Sequence, residues 1–153
     1  MLLMLRPLKR ALGLLGQSHG EGTANTALAF HAGALWALHE GDLPYHLRVL
    51  CTGAAATLGR ATLGGGMGEA VGAHPKRDPV TGELVCLHYR LEGAPRCRVG
   101  WVPAGSRRVA RAVDVPLRAP VMMHDMGLTS EYVVLLEVPL VFSPAVGKSA
   151  GGC

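Results

Sequence analysis

From Gly20 to Pro144 the chain is a succession of short apolar runs, each closed by residues that turn the backbone. Turn signals recur at roughly 8–12-residue spacing, which is the rhythm of antiparallel strands joined by tight connections. "TALAFHAGALWALHEG" places two such runs on either side of Ala32-Gly33, a hairpin signature. "DLPYHLRVL" continues as a further strand entered through Pro44. The stretch 53–68, "GAAATLGRATLGGGMG", is glycine-rich and is expected as a flexible loop, most clearly over 64–68. A hairpin is expected around Asp78–Gly82, then strands at Cys97–Val102 and within "RRVARAVDVPL", separated by the turn "PAGS". "MMHDMGLTSEYVVLLEVPLVF" gives a strand-like start, a turn at Thr129-Ser130, and the strongest β run of the chain. The expectation is an all-β fold: a sandwich, barrel or propeller, among which periodicity does not choose.

The 153 residues suit one domain. With 49% hydrophobic and 17% charged residues the chain has the composition of a packed protein and not of a disordered one. The net charge of +4 comes from arginines scattered through 90–118 and a cluster at Arg6, Lys9 and Arg10. No basic stripe is interleaved with aromatics, so nucleic acid is not an expected partner. Cys51, Cys86, Cys97 and Cys153 show no CxxC pair and read as unpaired thiols. Residues 1–20 read as a short amphipathic helix, with Leu8, Leu12 and Leu15 on one face. Such a helix covers a core or lies in a membrane interface. Residues 145–153 read as a loose tail after a β domain over 21–144.

Most of the seven histidines have unremarkable settings; His39 and His46, flanking "EGDLPY", are expected to face solvent or a loop. His74 and His124 differ. Each sits at a strand–turn junction and is followed by a turn-and-strand unit, "DPVTGEL" and "GLTSEYVVLL". If two successive units turned one imidazole each towards a common axis, they would supply two ligands of a multi-histidine metal site. A ligating histidine needs its second ring nitrogen held, usually by a carboxylate. Glu40, Asp125, Glu69 and Glu137 are available, and spacing does not choose among them.

"SHGEGTANTALAFHAGALWALHEGDLPYHL", "TLGRATLGGG", "AHPKRDPVTGEL" and "PVMMHDMGLTSEYVVLLEVPLVF" stand in the order and approximate spacing of the carotenoid cleavage oxygenases. The chain resembles that family from about Leu3 to Pro144, and its plant and algal branch, with the epoxycarotenoid dioxygenases, most of all. The resemblance implies a seven-bladed β-propeller, here its first blades only, with ferrous iron, Fe(2+), on the axis held by four histidines. The first two ligands match His74 and His124. The first of three orienting glutamates falls at Glu40, where it would hold His124. The resemblance also gives the amino-terminal segment a role in membrane contact and implies a plastid location. Met126 stands where the family usually has Phe, and "ATLGGG" replaces its usual "YDF", which is expected to loosen a strand.

The implied activity is addition of dioxygen across one double bond of a carotenoid or apocarotenoid, giving two carbonyl products. Two of four ligands is a large deficit, and the chain is expected to be a fragment whose isolated activity is weak or absent. Two alternatives stand beside this reading: a catalytically incompetent module that binds an apolar ligand or a partner, and an isomerase of the same family.

Overall fold

The computed structural model describes residues 24–91 and 93–138. The expected amino-terminal helix over 1–20 and the tail over 145–153 lie outside the described residues. What is described is all-β: ten strands in three antiparallel sheets, with one short 3-10 turn at Leu63–Gly65. Among these residues no helix is long and apolar enough to cross a membrane.

The first sheet is a meander of β1 (Ala27–His31), β2 (Ala34–Leu38), β3 (Tyr45–Val49) and β4 (Ala55–Arg60). β1 and β2 are joined by Ala32 and Gly33, whose φ values are 47° and 73°. Two left-handed residues in a two-residue connection are what the twist of a hairpin demands. Glycine adopts this without penalty, whereas alanine is strained there. β4 corrects the expectation of a loop over 53–68. Residues 55–60 pair with β3, Val49 opposite Ala55 and Tyr45 opposite Arg60, with an irregularity between His46 and Leu47. The ladder hydrogen bonds outweigh the poor strand propensity of this alanine- and glycine-rich stretch.

The second sheet is a meander of β5 (Lys76–Arg77), β6 (Leu84–Arg90), β7 (Arg96–Val102) and β8 (Arg111–Pro116). The β5–β6 hairpin is closed by Asp78, whose carboxylate accepts from Val80 N at 2.7 Å and Thr81 N at 3.2 Å. These two amides hold the Asp78 carboxyl below the usual range. The third sheet pairs β9 (Met126–Leu128) with β10 (Val133–Leu135) across a turn in which Thr129 Oγ1 accepts from Tyr132 N at 2.9 Å. The strong β run expected here contributes only three residues of strand; its part from residue 139 on lies outside the described residues.

Alternation along β6 explains how the sheets stack. Leu84 and Cys86 face one way and join Ala34, Trp36, Leu38, Leu63, Met67, Val71, Ala73 and Val102 in a core shared with the first sheet. Val85 and Leu87 face the other way and join Cys97, Val99, Val121, Met123 and Met126. The centre of the second sheet, in β6 and β7, is therefore covered on both faces, while β8 is mostly exposed. Burial pushes the Cys86 and Cys97 thiols up to about 12, and both, like exposed Cys51, are free cysteines.

Three polar ties cross from the second sheet to the β1–β2 hairpin. His31, wholly buried, donates from Nε2 to the Pro103 carbonyl at 2.9 Å. Arg107 Nε donates to the Ala32 carbonyl at 3.1 Å, and Arg77 donates to the Phe30 carbonyl. His31 is therefore a core clasp, a role its sequence setting did not single out.

Candidate metal centre

Three connecting segments converge on one point. Glu40 lies in the turn after β2, which is fixed from beneath by Asp42. That buried carboxylate accepts from Leu43 N at 2.7 Å, Tyr45 Oη at 3.2 Å and Arg60 Nη2 at 2.9 Å. The Asp42 carbonyl in turn accepts from Val71 N at 3.0 Å, which ties the Glu40 turn to the segment leading to His74.

That segment lies flat against the second sheet. Gly72 N donates to the Leu87 carbonyl at 2.5 Å, and a Cβ on Gly72 would stand 2.9 Å from the same oxygen. No side chain fits at this position. Ala73 is buried, and Pro75 biases His74 towards extended backbone, so the ring leaves the core surface at a defined place. His124 is anchored likewise, between Met123 and Met126, which are 2% and 5% exposed in the second core. Each histidine stands two residues before the first strand of its sheet, His74 before β5 and His124 before β9.

The two rings meet edge to face, with centroids 4.8 Å apart and planes at 69°. Nε2 of His74 lies 3.1 Å from Nε2 of His124. On the far side of His124, Nδ1 lies 3.1 Å from Glu40 Oε2. A carboxylate only accepts, so His124 carries its proton on Nδ1 and leaves the Nε2 lone pair facing His74. Two nitrogens held ~2.1 Å from one ion at a right angle stand about 3.0 Å apart, so the Nε2 pair has the spacing of neighbouring ligands. A pair of neutral imidazoles is also a donor set that suits iron. Among the described residues no group of three or more histidine, cysteine, aspartate or glutamate side chains surrounds a common point.

The sequence left four carboxylates open as partners for these rings. Glu40 is the one on His124. Asp125 instead accepts from Lys76 Nζ at 2.8 Å and from Met126 N at 2.7 Å. Burial pushes the Asp125 carboxyl up, but the Lys76 bond and charge and the Met126 amide together hold it below its usual range. Glu137 accepts from Arg118 N at 2.6 Å, and Glu69 lines a separate cavity beside His88. The Lys76–Asp125 bridge joins the two histidine-bearing segments and was not foreseen. Its signal was present: each histidine is followed within two residues by a charge, and the two charges are opposite.

Residues 7–153 match the sequence model of the retinal pigment epithelial membrane protein family. Curated relatives include a carotenoid 9,10(9',10')-cleavage dioxygenase of Phaseolus vulgaris, 37% identical over 90% of this chain and 25% of its own length. A chloroplastic 9-cis-epoxycarotenoid dioxygenase of Oryza sativa subsp. japonica is 38% identical over 92% of this chain and 22% of its own. The chain thus spans about a quarter of the length of these relatives. Among solved structures, the lignostilbene dioxygenase of Pseudomonas brassicacearum superposes with a TM-score of 0.71 at 28% identity, over 93% of this chain and 31% of that one. Cobalt-substituted ACO of Synechocystis shares the fold, with a TM-score of 0.64 at 22% identity, over 76% of this chain and 25% of that one.

Proposed function

The chain belongs to the retinal pigment epithelial membrane protein family, that of the carotenoid cleavage oxygenases, and from that membership we propose that it carries half of a dioxygenase iron site. In this proposal the two larger sheets are propeller blades and β9–β10 begins a third. His74 and His124 are two of four imidazole ligands to Fe(2+), and the other two belong to polypeptide beyond these blades. The reaction adds both atoms of dioxygen across one double bond of a carotenoid or apocarotenoid and releases two carbonyl compounds. When bound, the ferrous ion supplies the one-electron chemistry that dioxygen requires of it.

The work of this chain's own residues is positional. Glu40 fixes the His124 tautomer so that Nε2 presents a lone pair, and the carboxylate raises the basicity of that nitrogen. Pro75 and buried Ala73 set the direction of His74. The Lys76–Asp125 bridge holds the two ligand-bearing segments in register. The chloroplastic relative supports a plastid location, and the carotenoid-cleaving relatives support an apolar polyene substrate.

The observation that carries the proposal is the 3.1 Å separation of the two Nε2 atoms with Glu40 behind one of them. Its test is anaerobic titration of the chain with Fe(2+), alongside the double variant His74→Ala, His124→Ala. Weak, saturable binding that is lost in the double variant is the expected result; unchanged binding would refute the assignment. For the chemistry, the longer product containing these blades is given a carotenoid under ¹⁸O-labelled dioxygen. Label should appear in both carbonyl fragments, and products without label would remove the dioxygenase reading.

A further inference from the structure

A second cluster of polar side chains lies towards the carboxyl end of β6. There a cavity of about 200 Å³ opens between the 67–69 segment and the sheet, lined by Glu69, His88, Arg90, Arg96 and Arg98. Register explains the cluster: His88 faces Arg98 and Arg90 faces Arg96 across the β6–β7 ladder, so all four share one face. That face is apolar where Leu84 and Cys86 meet the first sheet, and cationic beyond it. Guanidinium groups directly opposite one another cost stability.

The charges are only partly balanced. Asp114 on β8 takes Arg98 through two bonds, 2.7 and 2.8 Å, and reaches Arg96 at 3.8 Å. Arg98 also donates to the Gly66 carbonyl at 3.4 Å. Arg90 has no carboxylate partner among the described residues, and Glu69 lines the same cavity. Burial of His88 lowers its pKa, and Arg90, Arg98 and Arg96 lower it further against the pull of Glu69. The ring lines the cavity and in its neutral form carries one N–H donor.

We infer that this cavity binds a phosphate group, through Arg90, Arg96 and His88, with Arg98 held in place by Asp114. The volume is below the range of ~300–1,000 Å³ usual for drug-sized ligands, which points to a small headgroup. Guanidinium forks match phosphate oxygens in pairs. Donors arriving from two strands and a ring suit a tetrahedral anion with three or more free oxygens. A planar carboxylate has two, and would leave one donor group unused. The phosphate is either that of a soluble monoester or that of an anionic lipid, and the experiment separates these sources.

The full 153-residue chain, labelled with ¹⁵N, is titrated with inorganic phosphate at constant ionic strength, and arginine Nε–H resonances are followed. Saturable shifts at Arg90 and Arg96 are expected. Arg90→Ala with Arg96→Ala should weaken binding about tenfold or more, the scale of a charge-assisted hydrogen bond. Arg118→Ala, at an exposed site outside the cavity, should leave it unchanged. Co-sedimentation with phosphatidylcholine vesicles containing phosphatidic acid then assigns the source. Capture that phosphate competes away and the double variant loses indicates a lipid headgroup; phosphate binding without capture indicates a soluble monoester. Absence of a saturable shift, equal affinity for acetate, or unchanged binding by a double variant with a native amide spectrum would each overturn the inference.

Discussion

Removing the Glu40 carboxylate separates a metal pair from two surface histidines that merely hydrogen-bond. Without metal, the Glu40–His124 contact joins side chains that are 21% and 53% exposed. Contacts of that kind contribute ~0.2–1 kcal/mol, so Glu40→Gln should lower Tm by no more than about 4 °C in a chain of this size. Loss of a carboxylate that orients a ligating imidazole costs ~10–100-fold in metal affinity, about 1.4–2.7 kcal/mol. Glu40→Gln retains a carbonyl acceptor for Nδ1 and belongs at the lower end, whereas Glu40→Ala leaves Nδ1 without its partner and belongs at the upper end. The assay is anaerobic titration with Co(2+), followed by visible absorption, with Tm measured on the same samples. The order of affinities should be wild type, Gln variant, Ala variant, with nearly constant Tm. If the Ala variant bound Co(2+) as tightly as wild type, the claim that Glu40 works through His124 would fail.

The bridge between the two histidine segments gives a double-mutant cycle. Lys76→Met and Asp125→Asn should each weaken Co(2+) binding about two- to fivefold, the equivalent of a half-exposed ion pair, and the pair should cost little more than either alone. Additive losses would show that the bridge does not act as a unit. Ala32 is strained by its left-handed backbone, so Ala32→Gly should raise stability by about 0.5–1 kcal/mol in urea unfolding; a loss would contradict the turn geometry. Asp114 has its folded pKa lowered by the Arg98 hydrogen bond, against burial and helped by the charges of Arg98 and Arg96. Its contribution is present above its unfolded pKa of about 3.9 and is lost as pH falls through the lower folded value. Asp114→Asn should therefore flatten the acid limb of stability below about pH 4, and an unaltered limb would show that the Arg98 pair contributes nothing.

The β1–β2 hairpin was legible because Ala32-Gly33 carries local turn chemistry, and the β5–β6 hairpin because Asp78 and Gly82 do the same. The strand over 55–60 was not, since its residues are poor strand formers and only the ladder to β3 makes them one. His74 and His124 could be picked out by their like positions before turn-and-strand units. Glu40 could not be chosen by spacing, because 84 residues separate it from His124 and their contact exists only when the first and third sheets are assembled. His31 carried no signal: its burial arises from the second sheet lying over the hairpin, which is a tertiary fact. The carbonyl of Pro103 that it meets is 72 residues away.

The meeting of the two imidazoles is set by the cores beneath them more than by the polar contacts around them. Truncating a buried methionine costs ~2–5 kcal/mol, several times the worth of the half-exposed Lys76–Asp125 bridge. His124 is flanked by two such methionines in the core between the second and third sheets, and His74 follows an alanine buried in the core between the first and second. Each ring is thus referenced to a different core, and β6, which contributes to both, is the common ruler. Leu84 and Cys86 set the depth of the His74 segment while Val85 and Leu87 set that of His124. A shift of β6 by one residue would exchange these two sets and move both rings at once, whereas the loss of any one polar tie leaves the ruler intact.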